Sequence, residues 1–145
     1  MVYRAKNHVL HFNNKSMDYV TFGKGKKPLL IIPGLGDGLA TVKRMTQMLA
    51  LAYRGFATAY QVYVFSRINE LPENYTTRDM ATDIAEAMDV LGLKTVAVLG
   101  ISQGGMIAQW LAADFSERVE KLILTVTTAK LNNLGRERIT RWLEL

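Results

Sequence analysis

The hydrophobic and polar positions of this chain fall into segments of different period, and each change of period marks an expected element. Residues 2–12 and 16–22 are rich in β-forming side chains. Asn13-Asn14 between them accepts positive φ in a tight turn, so the chain is expected to open with a hairpin. Residues 23–28, glycine- and lysine-rich and ending in Pro28, break that pattern. Leu29-Leu30-Ile31-Ile32 then forms the continuous apolar run expected of a strand buried on both faces. Val42, Met45, Leu49, Ala52 and Tyr53 recur at spacings of three and four, which predicts an amphipathic helix closed near Gly55.

Residues 56–65 are aromatic and β-branched and predict a strand, with a loop over 66–75 that contains Pro72. Thr76, with Asp79 three positions later, is a capping-box signal, and Met80, Ile84, Ala87, Met88 and Leu91 share one helical face ahead of Gly92. A short strand over 95–99, a helix over 104–115 and a strand over 122–126 follow. Trp110, one turn beyond Met106, is expected to pack beneath the turn that precedes its helix. The tail is expected to form a loop at 132–135 and a helix from 136, with Ile139, Trp142 and Leu143 on one side. Alternating strands and helices imply right-handed crossovers, hence an α/β fold with a mostly parallel sheet covered by helices on both faces.

Composition narrows the function classes. With 145 residues, 49% hydrophobic and 21% charged, the chain fits one domain, or part of one, with a sizeable core. No apolar run approaches the roughly 18–20 residues that span a bilayer, and the amino terminus lacks the apolar core of a secretory leader. No membrane partner is therefore expected, and the cytoplasm is the expected location. The chain has no cysteine, which excludes disulfides, thiolate metal sites and a cysteine nucleophile. The net charge of +5 is concentrated in residues 1–54. Its lysines fall in a Gly-rich turn or between apolar positions, as solvated side chains do, and no nucleic-acid partner is expected.

One motif carries chemistry. Gly100-Ile101-Ser102-Gln103-Gly104 has the G-x-S-x-G pattern, directly after a buried strand and directly before a helix. A serine on so tight a turn has a strained backbone, and small residues two before and two after it avoid a clash. Gly100 and Gly104 meet that need, with Gly105 following. The helix beyond would aim its first N–H groups and positive dipole end at charge developing beside the Ser102 hydroxyl. The Gln103 N–H is the first expected oxyanion donor.

Together with Pro33-Gly34-Leu35-Gly36-Asp37 after the earlier central strand, this elbow resembles the α/β-hydrolase family. The resemblance runs over essentially the whole chain, which would form a partial α/β-hydrolase domain across residues 1–145. It implies Ser102 as nucleophile, Gly34 and Gly36 in an oxyanion loop and the Leu35 N–H as second donor. Pro33 stands where the family often has histidine, so what carries over there is backbone geometry. The resemblance also implies a small-molecule substrate with an ester-like carbonyl and a lid that starts near residue 131. Serine rather than aspartate at the elbow argues against the branches that use a carboxylate nucleophile. No metal or organic cofactor is implied.

A serine hydroxyl needs a base, and in this family the order along the chain is serine, acid, histidine. No histidine follows Ser102, and no carboxylate occurs in residues 127–132. His8 and His11 lie in the first strand, at the far side of the sheet in this family, and are expected to pack or face solvent. The expectation is a chain truncated after strand six, lacking the acid and histidine, with that strand an exposed, aggregation-prone edge and no activity in isolation. Three other readings stay open: a non-catalytic ligand-binding or interaction protein on the same scaffold, an acyltransferase forming the same acyl-enzyme, and a dinucleotide-binding domain suggested by Gly34-Leu35-Gly36-Asp37-Gly38.

Overall fold

A computed structural model of the protein describes residues 2–35 and 42–143. Six strands, β1 (Lys6–Phe12), β2 (Lys15–Gly23), β3 (Lys27–Ile32), β4 (Tyr60–Ile68), β5 (Val96–Ile101) and β6 (Val119–Thr125), form one sheet in the order β1-β2-β4-β3-β5-β6. The β1–β2 and β2–β4 pairings are antiparallel, and the other three are parallel. Asn13 and Asn14 turn the opening hairpin at φ 45° and 60°, so Phe12 pairs directly with Lys15. Both asparagines tolerate the left-handed region that a two-residue turn demands.

Among the described residues four α-helices connect or flank the strands: α1 (Thr46–Ala52), α2 (Thr77–Val90), α3 (Gln103–Asp114) and α4 (Asn133–Leu143). The sheet is covered on both faces, as the alternation requires. On one face Ile84 and Met88 of α2 and Ile107 and Leu111 of α3 pack with Leu30, Ile32, Phe65, Val96 and Val98. On the other, Val42 and Leu49 and Ala50 of α1 pack with Val20, Phe22, Leu29, Ile31, Val62 and Val64. Neighbours in β3 thus face opposite cores, which is why its apolar run is unbroken. Each such side chain taken fully from water contributes about 1.5–3 kcal/mol.

Several boundaries differ from the sequence expectation. Residues 2–4 form a single 3₁₀ turn, and β1 starts at Lys6. The first helix begins at Thr46, with Val42 buried ahead of it rather than on its first turn. The strand expected over 56–65 lies at Tyr60–Ile68, so Ser66 and Arg67 are sheet residues instead of loop. Both are polar, yet 2% and 3% exposed, and the burial is what polarity concealed. The tail helix starts at Asn133, before the expected 136. Trp110 does not lie beneath the elbow: it is 40% exposed, with the Arg78 guanidinium 4.9 Å from its ring centre. No helix among the described residues is long and apolar enough to cross a membrane.

Candidate active site

The elbow is built where β5 hands over to α3. Ser102 has φ 53° and ψ −121°, a conformation that L side chains avoid, and it stands at the N-cap of α3 without a capping hydrogen bond from its own hydroxyl. Four backbone-directed bonds hold it there. Its N–H donates to the Thr125 carbonyl at 3.1 Å, and its carbonyl accepts from the Gly105 and Met106 N–H groups at 2.9 and 3.4 Å. The Thr127 hydroxyl donates to the same carbonyl at 2.7 Å. The main chain is therefore fixed from both sides while the Ser102 hydroxyl is left to face outward, and the residue is exposed.

The glycines around it are spaced by contact. A Cβ on Gly104 would lie 2.0 Å from the Ile32 carbonyl oxygen and 2.5 Å from that of Pro33. One on Gly100 would lie 2.7 Å from the Ala108 Cβ, and one on Gly105 2.5 Å from the Thr127 Cβ. Gly104 thus lets α3 press onto the end of β3, and Gly105 lets the segment after β6 close over the helix. At Gly34 the same construction falls 3.0 Å from the Ser102 Cβ, so the loop leaving β3 runs alongside the serine.

Ser102, Gln103 and Leu35 line one cavity of about 690 Å³. Its apolar wall is Leu35, Met106, Val126, Leu131 and Ile139, and its polar rim adds Thr77, Thr127 and Thr128. Among the described residues that line it there is no ionisable side chain. Gln103 is the first residue of α3, so its main-chain N–H belongs to the unpaired first turn of a helix. The structure thus brings Ser102, Gln103, Leu35 and Gly34 together, whereas Gly36 lies outside the described residues. A second hollow of about 620 Å³, lined by His11, Lys15 and Glu70 among others, does not include Ser102.

Neither histidine is near this cavity's lining. β1 is separated from β5 by three strands. His8 stacks on Tyr19 with ring centres 4.7 Å apart and its Nε2 lies 2.9 Å from the Thr21 hydroxyl. Burial, and then the nearby Lys6 charge, hold its pKa below the ordinary imidazole value. His11 is exposed. Asp114, at the end of α3, forms a two-pronged pair with Arg78 at 2.7 and 2.9 Å.

Three residues at the site were not legible in the sequence. Arg67 at the end of β4 donates from Nη2 to the Pro33 carbonyl at 2.7 Å and to Gln103 Oε1 at 3.0 Å. Thr127 supports the serine carbonyl, and Val126 sits at φ 46°, 79% exposed, on the cavity wall. A β-branched residue at positive φ is strained, and nothing in a Thr-Val-Thr-Thr stretch announces it.

Known proteins resemble this chain. Residues 27–143 match the alpha/beta hydrolase fold family. The chain is 28% identical over 130 residues to 3-oxoadipate enol-lactonase 2 of Acinetobacter baylyi, covering 85% of this chain and 48% of that protein. It is 29% identical over 136 residues to zearalenone hydrolase of Cladophialophora bantiana, covering 90% of this chain and 51% of that one. The crystal structure of a hydrolase from Pseudomonas aeruginosa superposes with a TM-score of 0.75 at 26% identity, covering 97% of this chain and 54% of the other. The chain spans about half the length of each of these relatives.

Proposed function

Because this chain belongs to the alpha/beta hydrolase fold family, whose relatives above are named as hydrolases, we propose that it carries the nucleophile and oxyanion site of a serine hydrolase. The nucleophile is Ser102. The observation that carries the reading is the serine's backbone, held at φ 53° and ψ −121° between β5 and α3 with its hydroxyl spared from capping.

In the proposed reaction the Ser102 Oγ attacks an ester-like carbonyl carbon while its proton passes to a general base. The oxyanion is held by the main-chain N–H groups of Gln103 and Leu35, in a site whose first helical turn favours negative charge. The carbon–oxygen bond to the leaving group breaks, that oxygen takes the proton from the base, and an acyl-enzyme remains. Water then attacks the acyl carbon and restores the serine.

The base is assigned to a histidine, oriented by a carboxylate, in the part of the relatives' length that this chain does not span. A wall of leucine, methionine, valine and isoleucine side chains, with no ionisable group among the described lining residues, suits an uncharged acyl group. The segment from about residue 131, whose Leu131 and Ile139 form part of that wall, is assigned as the start of a lid.

The test is Ser102→Ala in the full-length protein with p-nitrophenyl butyrate as the probe ester. Turnover is expected to fall by about 10⁴-fold or more. Ester hydrolysis within tenfold of the unaltered protein would refute the nucleophile.

A further inference from the structure

The two arms that would hold the oxyanion come from different parts of the chain, one after β3 and one at the start of α3. A single buried nitrogen joins them. Arg67 stands next to last in β4 and is 3% exposed. Its Nη2 donates to the carbonyl of Pro33, the residue just before Gly34-Leu35, and also to the side-chain oxygen of Gln103. Resting on the serine-hydrolase reading above, the geometry points to Arg67 as a positioning residue that sets the separation and orientation of the two oxyanion donors.

Each bond acts on a different donor. The Pro33 carbonyl shares a rigid peptide plane with the Gly34 N–H, so anchoring that oxygen fixes the plane from which the Leu35 N–H follows. The Gln103 side chain, tethered at its far end, restrains the residue whose own main-chain N–H is the other donor. Gly104 completes the clamp from the opposite side. It lies so near the Pro33 oxygen that a Cβ there would come within 2.5 Å of it. The Pro33 carbonyl is thus held between Arg67 and the first turn of α3.

A guanidinium is an expensive way to fill this position. Neighbouring β4 residues Val62, Val64 and Phe65 are all fully buried and apolar, and burying a charge in place of such a residue carries a large desolvation penalty before its partners are counted. Lysine would bring a flexible point charge, whereas the planar fork has fixed donor directions. Arg67 acts without touching the bound carbonyl. It acts through Pro33 and Gln103, and a displacement of either donor by about 1 Å is enough to cost on the order of 100-fold in rate.

The test uses the full-length protein, p-nitrophenyl butyrate as substrate, an alkyl trifluoromethyl ketone as a mimic of the tetrahedral adduct, and butyrate as the product acid. Arg67→Met is expected to lower kcat about 10- to 100-fold with KM within about twofold. The trifluoromethyl ketone should lose affinity in step with kcat/KM, while butyrate inhibition is unchanged. Gln103→Met, which leaves Arg67 in place, should lower kcat about 3- to 10-fold, and the double variant should be no slower than Arg67→Met alone, because Arg67→Met already removes the one connection that Gln103→Met cuts.

Two results would overturn the assignment: kcat within threefold in Arg67→Met, or a parallel loss of ketone and butyrate affinity, which marks general loosening of the pocket. If Arg67→Met does not fold, Gln103→Met decides alone, and an unchanged kcat there overturns it. Ser102→Ala measured alongside separates the two ideas, since activity in that variant defeats the hydrolase reading itself.

Discussion

At the residue scale the site depends on a strained serine. A side chain at φ 53° and ψ −121° costs about 1–3 kcal/mol, balanced by the bonds from Thr127, Gly105 and Met106 and to Thr125. Glycine adopts this conformation freely. Ser102→Gly is therefore expected to be more stable than Ser102→Ala by about 1–2 kcal/mol in urea unfolding, with both inactive; equal stabilities would remove the strain. His8 gives a pH signature. Its pKa is depressed in the folded protein by burial and Lys6, so the unfolded chain takes up the proton first as pH falls. Its contribution is present above the ordinary value of about 6.5 and is lost as pH drops through the folded pKa. Stability should decline from pH 7 to pH 5, and His8→Gln should flatten that slope.

The elbow was readable at this scale because G-x-S-x-G encodes a steric need, and Gly100 and Gly104 meet it by contact. Arg67 was not. A Ser-Arg pair after an aromatic run reads as solvated loop, and the Arg67 Nη2 finds its partners at Pro33 and Gln103, far away in sequence.

At the element scale, local signals were dependable where a side chain closes its own structure. Asn13-Asn14 turns the hairpin, and Thr76 with Asp79 forms the reciprocal capping box at the start of α2. Hydrogen bonds from the Thr76 side chain and main chain hold the Asp79 carboxyl below its usual range. Thr76→Ala is expected to cost about 1 kcal/mol in thermal or urea unfolding, and no loss would show the cap to be ornamental. Element ends set by tertiary pairing were less legible. β4 runs to Ile68 because Ile68 pairs with Met17 of β2, a partner that no local window contains. Lys15, at the start of β2, pairs with Asp83 at 2.6 Å and Glu86 at 3.1 Å on α2, and Tyr75 donates to the same aspartate. With Asp83 buried, Lys15→Met should destabilise by about 1–3 kcal/mol.

At the scale of the whole molecule, alternation of strands and helices was enough to predict a mostly parallel sheet with both faces covered. The order β1-β2-β4-β3-β5-β6 is a tertiary fact, and it places β1 and its two histidines far from the serine. It also sets β3 beside β5, so the loops leaving them converge on one cavity, and Leu35 meets Gln103 there. β6 pairs only with β5 among the described residues, and Leu122, Ile123 and Leu124 on it are substantially exposed.

Covalent labelling of the full-length protein decides whether Ser102 is the nucleophile. After reaction with a fluorophosphonate, peptide mass spectrometry should place one adduct on Ser102, with labelling lost in Ser102→Ala. An active enzyme that carries the adduct on another residue, or none at Ser102, would contradict the account.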